Sequence, residues 1–209
     1  MAKIIVACER FGTVRNAFLA RGHDAWSCDI APAADGSNRH IQGDARDVVG
    51  DGWDALIVAH PPCTRLCNSG VRWLSKPPKG KTLEQMWQEL EEGASLFSDM
   101  WNAPIPCVAV ENPVMHKHAK RIIRNYEEFS QSIQPWQFGH GEVKRTCLWL
   151  RNLPKLEPTN IVEGRVARVH RMPPGPNRGI ERSRFFTGVA DAMADQWGPV
   201  IDETARRAA

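Results

Sequence analysis

Hydrophobic positions fall into short unbroken runs separated by charged or glycine-containing loops. Ile4-Ile5-Val6-Ala7-Cys8 follows Lys3 with no apolar–polar alternation, which predicts a strand buried on both faces, as in a parallel sheet. A polar loop, Glu9-Arg10-Phe11-Gly12-Thr13, comes next. Val14, Ala17, Phe18 and Arg21 then repeat at helical spacing up to Gly22, a residue suited to ending a helix. Asp24–Ile30, His40–Asp44 and Trp53–Ala59 read as three further strands, the first two closing on an acid. Strands linked by short helical or irregular crossovers predict a parallel α/β sheet.

Residues 65–82 are polar and rich in Gly, Pro and Lys, and predict a loop. Thr82 followed three residues later by Gln85 signals a capped helix start. Leu83, Met86, Trp87, Leu90, Ala94, Phe97 and Trp101 hold one face over about five turns, ended by Pro104 and Pro106. Pro106–Glu111 makes a fifth strand, and a helix is expected over 114–131. Trp136-Gln137-Phe138 and Thr146–Leu150 are expected as antiparallel strands finishing the sheet. Thr187–Trp197 predicts a last helix stopped by Gly198, and Glu203–Ala209 a frayed end.

With 209 residues, 42% of them hydrophobic and 24% charged, the chain is sized for a single domain with a sizeable core. The net charge of +3 is too small for a protein that coats nucleic acid by bulk charge. That excess is local: residues 151–184 hold eight Lys/Arg against three acids, with five prolines. No apolar stretch approaches the ~18 residues of a membrane span, and the start lacks an apolar signal core, so membrane insertion and secretion are not expected. Six cysteines without a CxxC pair suit reduced thiols in a cytoplasm.

Ligands of an open parallel sheet bind beyond the carboxyl ends of its strands. Here those ends carry the loop after Cys8, then Asp29, Asp44, His60-Pro61-Pro62-Cys63 and Glu111-Asn112. Asp29 can accept from both hydroxyls of a ribose, and Asp44 from an adenine amine; each alone fits a turn cap equally well. Two prolines fix the backbone ahead of Cys63 and present its thiol to the cleft, whereas Cys8 and Cys28 read as strand residues. A thiolate suits addition to a conjugated ring, and Glu111 offers a carboxyl for a ring nitrogen. Arg145 could hold an exocyclic carbonyl. His60 and His140 stand near these ends, where a lone histidine is most often hydrogen-bonded in place. Cys63-x-x-x-Cys67 and His116-x-His118 match no common zinc spacing, so no metal site is expected.

In this order and spacing the chain resembles the cytosine-C5 DNA methyltransferases, particularly short, phage-type members. The carrying residues are Phe11-Gly12, Asp29, Asp44, Pro62-Cys63, Glu111-Asn112, Arg145 and Thr187-Gly188, over about residues 1–200. The resemblance implies a Rossmann-like S-adenosylmethionine-dependent methyltransferase fold, a mostly parallel α/β sheet flanked by helices, as one domain over 1–209. It implies Cys63 adding to carbon 6 of cytosine, Glu111 at nitrogen 3, Arg145 on the 2-carbonyl and Asn112 positioning the Pro62-Cys63 loop. It also implies S-adenosylmethionine held by Phe11, Gly12, Asp29, Asp44, Pro61 and Thr187.

The departures are specific. The first loop keeps one glycine, Thr64 follows the proline–cysteine pair, Val143 and Cys147 flank Arg145 where the family has further signature residues, and Val189 replaces an asparagine. The large target-recognition region is reduced to the basic, Pro-rich segment 151–184. DNA is the expected partner, gripped by 65–81 and 151–184, with short or relaxed specificity. A free nucleotide or RNA substrate, or a non-catalytic nucleic-acid-binding role, are the alternatives that these departures keep open.

Overall fold

The computed structural model describes residues 1–173, 175 and 178–208. Seven strands form one sheet: β1 Lys3–Ala7, β2 Asp24–Asp29, β3 His40–Gln42, β4 Ala55–Val58, β5 Cys107–Asn112, β6 Gln131–Ile133 and β7 Thr146–Arg151. Their spatial order is β3-β2-β1-β4-β5-β7-β6. The first five run parallel, and β7 is antiparallel to both β5 and β6.

The apolar runs are buried on both sides because alternate residues feed two separate cores. Ile5, Ala7, Leu56, Val58, Val108 and Val110 pack under helix α2, Leu83–Trp101, and the short α3, Lys117–Ile122. Ile4, Val6, Ala55, Ile57, Cys107 and Ala109 pack under α1, Thr13–Ala20, and α6, Thr187–Ala208. Trp149 fills one core and Trp197 the other, both with negligible exposure. Each is the kind of side chain whose truncation to Ala costs about 3–5 kcal/mol. Two short helices, α4 Arg168–Arg171 and α5 Arg178–Arg182, lie in the basic segment. Among the described residues no helix is long and apolar enough to cross a membrane.

The start of α2 is as expected: Thr82 accepts from the Gln85 N–H and Gln85 from the Thr82 N–H. Its face is narrower than the spacing suggests, since Leu83 and Trp87 are exposed. Several expectations are corrected. The helix expected over 114–131 spans only Lys117–Ile122; Ile123 turns extended and Asn125 takes φ 50°. The antiparallel strand expected at Trp136–Phe138 lies instead at Gln131–Ile133, because Pro135 starts a single helical turn over Pro135–Gln137. The last helix is not stopped by Gly198. It continues through Pro199 to Ala208, so 203–208 is helical rather than frayed; Ala209 lies outside the described residues. Gly198 is needed there for packing, since a Cβ would press on the His23 ring.

The chain winds outward from β1 through β2 to β3, then returns to lay β4 on the other side of β1. A crevice therefore opens between the ends of β1 and β4, where an open sheet takes its ligands. Because β7 runs antiparallel, its start meets the end of β5, pairing Asn112 with Cys147. The end of β6 arrives at the same edge, pairing Ile133 with Thr146.

Candidate active site

A cleft of about 310 Å³ opens at the carboxyl ends of β1, β2 and β4. Asp29, Asp44, Cys8, Cys28, His60 and Pro62 are among its lining residues. Asp29 ends β2; one of its oxygens accepts the Ala31 N–H at 2.9 Å, leaving further acceptor capacity toward the cleft. Beside it Ile30 is 80% exposed, an apolar side chain presented to the cleft without a packing partner of its own. Asp44 is more committed: it accepts the Arg46 N–H at 2.9 Å and Arg46 Nε at 3.0 Å, and Arg46 holds its carboxyl below the usual range.

The other residues expected around a cofactor stand elsewhere. Gly12 has φ 69° and turns the chain into α1, with the Arg15 guanidinium where a Cβ would be. Phe11 lies under the Arg184 guanidinium, 4.5 Å from its centroid. Pro61 is buried and Pro62 faces the cleft instead. Thr187 is exposed at the start of α6, 3.5 Å from His140 Nε2. None of these four lines the Asp29 cleft. Conversely, Cys8 and Cys28 do line it: Cys8 falls just past the strand with φ 56°. Burial and the neighbouring Asp29 push both thiols up, Cys8 to about 12 and Cys28 to about 11.

The first loop is built around an ion cluster in place of glycines. Buried Glu9 accepts the N–H groups of Val14 at 2.6 Å and Arg15 at 3.1 Å, closing the amino end of α1. The fully buried Arg15 reaches Ser27 at 2.8 Å and pairs with Asp35.

Cys63 follows Pro62 and begins one tight turn, with Leu66 N–H and Cys67 N–H both donating to the Cys63 carbonyl at 3.0 and 3.1 Å. Gly70 closes this turn against Thr64 so tightly that a Cβ would overlap the Thr64 carbonyl oxygen. The turn is tied to the stretch after β5: Asn68 N–H donates to the Val114 carbonyl, His116 N–H to the Leu66 carbonyl, and Cys67 bridges Met115. These backbone ties do the positioning expected of Asn112. The Asn112 amide, wholly buried, has no hydrogen-bond partner at either end among the described residues.

Glu111 is buried at the end of β5, and its register partner Leu148 puts Thr146 and then Lys144 on the same side of the sheet. Glu111, Lys144, Thr146, Ile133, Phe185 and Phe186 accordingly line one pocket. Arg145, one residue on, faces the other way. It is exposed, 5.8 Å from the Phe129 centroid, and is not brought to Glu111. Lys144 is held by the Arg182 carbonyl at 3.1 Å. Burial raises the Glu111 carboxyl to about 7, with Lys144 opposing the shift. Burial, then Glu111 and Cys67, push the Cys63 thiol to about 12, with Lys144 again pulling the other way. Lys144, not Arg145, is the cation that shares the pocket with Glu111, and nothing in the sequence distinguishes the two.

His60 also departs from expectation. Its Nε2 is buried without a hydrogen-bond partner, its ring lies edge-on to Phe185 at 5.3 Å, and burial plus Lys144 lower it to about 3. His140 is hydrogen-bonded in place, accepting the Gly188 N–H at 3.0 Å. Cys63 itself lines neither the Asp29 cleft nor the Glu111 pocket, so the two prolines do not present its thiol to the cleft as expected; it stands beside the lining residue Pro62. One edge of the sheet thus carries a cleft with the Asp29 carboxyl, a pocket with a protonatable carboxyl and an ammonium, an uncharged imidazole, and this adjacent thiol. Such a set can bind a polar ligand in the cleft and deliver nucleophile and proton to a neighbouring ring.

No protein-family model matches the chain, and no curated protein matches it. Solved structures do. The Entamoeba histolytica methyltransferase EhMeth aligns with a TM-score of 0.51 at 14% identity, over 78% of this chain and 58% of that one. A candidate DNA modification methyltransferase encoded within an E. coli prophage aligns with a TM-score of 0.49 at 16% identity, over 78% and 52%. The S. pombe Dnmt2 methyltransferase gives 0.41 at 13%, over 74% and 50%. The chain spans between half and three-fifths of the length of these proteins. With the strand order described above, the fold is the Rossmann-like fold of S-adenosylmethionine-dependent methyltransferases.

Proposed function

We propose that this chain is an S-adenosylmethionine-dependent methyltransferase that methylates carbon 5 of cytosine in DNA through a transient bond to Cys63. The observation that supports the reading is that Glu111, near the end of β5, and Lys144, ahead of the start of β7, share a pocket and both act electrostatically on the Cys63 thiol, whose neighbour Pro62 lines the Asp29 cleft. The cleft fits the cofactor chemically. Its volume of about 310 Å³ lies at the lower end of the ~300–1,000 Å³ of small-molecule sites. Asp29 has acceptor capacity for ribose hydroxyls, and Ile30 offers an apolar surface to an adenine face.

The residues divide the work as follows. Glu111, protonated below about 7, gives its proton to nitrogen 3 of the ring and takes the proton of the Cys63 thiol. Cys63 Sγ forms a bond to carbon 6, so the net change is addition of S–H across C6 and N3, and C5 becomes electron-rich. S-adenosylmethionine in the Asp29 cleft supplies the electrophilic methyl group for that carbon. Loss of the C5 proton to water then breaks the Sγ–C6 bond with its electron pair on sulfur. The N3 proton returns through Glu111 to Cys63, and one proton is released overall. Lys144 holds the ring's 2-carbonyl and steadies the thiolate as it forms.

The test is methyl transfer from isotopically labelled S-adenosylmethionine to cytosine-containing DNA, RNA and deoxycytidine monophosphate. Label in 5-methylcytosine of DNA, absent with Cys63→Ala, is expected. DNA carrying 5-fluorocytosine should trap a covalent adduct, because no proton can leave C5. Label in RNA or the mononucleotide alone would replace the substrate, and no label in any of them would remove the reading.

A further inference from the structure

We infer that the nucleic acid taken by this site is single-stranded at the target cytosine, held by guanidinium–aromatic platforms around the pocket mouth. The inference rests on the reading above and specifies its substrate class. Three cations lie over aromatic rings on residues that line the Glu111 pocket or neighbour a lining residue in sequence. Arg184 covers Phe11 at 4.5 Å, Arg165 covers Trp136 at 3.6 Å, and Lys144 approaches Phe186 at 5.9 Å. Phe186 lines the pocket, Trp136 adjoins the lining residue Pro135, and Arg184 adjoins the lining residue Phe185. Arg165 and Arg184 are exposed, and both come from the segment that carries the chain's positive excess.

Arg184 over Phe11 keeps its outer face, but its Nε and Nη2 donate to Glu181 at 3.1 and 3.3 Å. Arg165 over Trp136 makes no side-chain hydrogen bond among the described residues, which leaves both its outer face and its N–H edge open. Such a plane stacks an unpaired base and bonds a phosphate with the same group. Bases inside a duplex are already stacked and offer no face to it. A duplex reader also needs an element long enough to enter a groove. Between β7 and α6 the described helices are α4 and α5, four and five residues long. Extracting a base from a duplex costs a few kcal/mol, a cost that an unpaired strand largely avoids. Charge and shape here match a flexible strand better than a rigid rod.

The experiment is fluorescence anisotropy with labelled oligonucleotides of one sequence: single-stranded DNA, its duplex and single-stranded RNA, at fixed salt. Single strands should bind about tenfold or more tightly than duplex. Arg165→Ala with Arg184→Ala should remove most of that preference. Arg165→Lys, which keeps the charge but not the plane, should fall close to Arg165→Ala. Duplex binding equal to single-strand binding, or Arg165→Lys matching wild type, overturns the inference. The DNA and RNA arms distinguish the two sources of an unpaired strand. Methyl-transfer assays are read separately: strand preference without label supports this inference while counting against the enzymatic one. Label without strand preference does the reverse.

Discussion

The Lys144 ammonium and the Glu111 carboxyl share a pocket because two antiparallel strands meet at one edge of the sheet. Glu111 is the penultimate residue of β5, and Lys144 precedes β7 by two residues, on the face that Thr146 and Leu148 continue. The neighbouring Arg145 is carried to the opposite face, over Phe129. Alternation along an extended chain is strict, so one residue decides which cation serves the site.

Lys144→Met therefore removes the positive charge that opposes the rise of both Cys63 and Glu111. A shift of one unit in the thiol changes the thiolate fraction about tenfold. Alkylation of Cys63 by iodoacetamide at pH 8, followed by peptide mass spectrometry, should slow by about that factor. Lys144→Arg should restore most of the rate, and Arg145→Met should leave it within about twofold. Equal effects of the two Met variants would show that Lys144 does not act on the thiol.

The pH dependence of stability follows from Glu111. Its folded-state value, about 7, lies above the ordinary 4.5, so the folded protein binds the extra proton. That contribution is fully present below about 4.5 and is lost as pH rises through about 7. The shift is worth about 3 kcal/mol at most. Buried Glu9, raised by burial to about 7 as well, adds a second such contribution. Buried His60, lowered to about 3, acts in the opposite sense below about 6.5, so the Glu111 contribution is read by difference: in urea unfolding, the stability of wild type relative to Glu111→Gln should fall as pH rises from 4.5 to 8. A difference that does not change with pH would mean that Glu111 is not desolvated.

Asp29 and Asp44 should separate in a binding experiment. Asp29 keeps acceptor capacity free beyond its Ala31 contact, whereas Asp44 is bound to Arg46. Hydrogen bonds to a charged group contribute about 1.5–3 kcal/mol. Calorimetry with S-adenosylhomocysteine should show Asp29→Ala weakening binding tenfold or more, and Asp44→Ala only a few-fold. The reverse order would relocate the ribose.

Much of this architecture is legible in the chain itself. Unbroken runs such as Ile4–Ala7 and Ala55–Val58 read as strands buried on both faces, and acids stand at the carboxyl ends of β2, β3 and β5. The strand-end rule places Asp29 and Asp44 at the cleft and Glu111 in the adjoining pocket, but it does not place Cys63, which lines neither. What failed depends on contacts that spacing does not carry. β6 is three residues long and partly polar, held by pairing with β7, so Gln131–Ile133 shows no pattern. The last helix passes Gly198-Pro199 because Trp197 and Ile201 are buried on either side, outweighing the local break. Phe11 does not line the Asp29 cleft, and Arg184, far along the chain, lies over its ring, a contact that spacing does not show. His60 reads as an ordinary loop histidine until burial strips its Nε2 of partners.

Gly70 gives the sharpest test of how firmly the Cys63 turn is set. Its φ is −90°, ordinary for any residue, so backbone freedom is not the reason for glycine there. The reason is the Thr64 carbonyl, which occupies the place of a Cβ. Gly70→Ala must push the Thr64–Gly70 turn outward, against the Asn68–Val114 and Leu66–His116 bonds that tie it to the stretch after β5. Overpacking of this kind costs about 1–3 kcal/mol, which in a chain of this size lowers Tm by about 2–10 °C. Methyl transfer should fall further than stability alone explains, about tenfold or more at a temperature where the variant is folded, because the thiol moves relative to Glu111. Gly50→Ala, where a Cβ meets nothing, is the control and should change neither quantity. A Gly70→Ala protein with wild-type Tm and wild-type turnover would mean that the turn yields freely. The thiol then owes its position to the substrate and not to the fold.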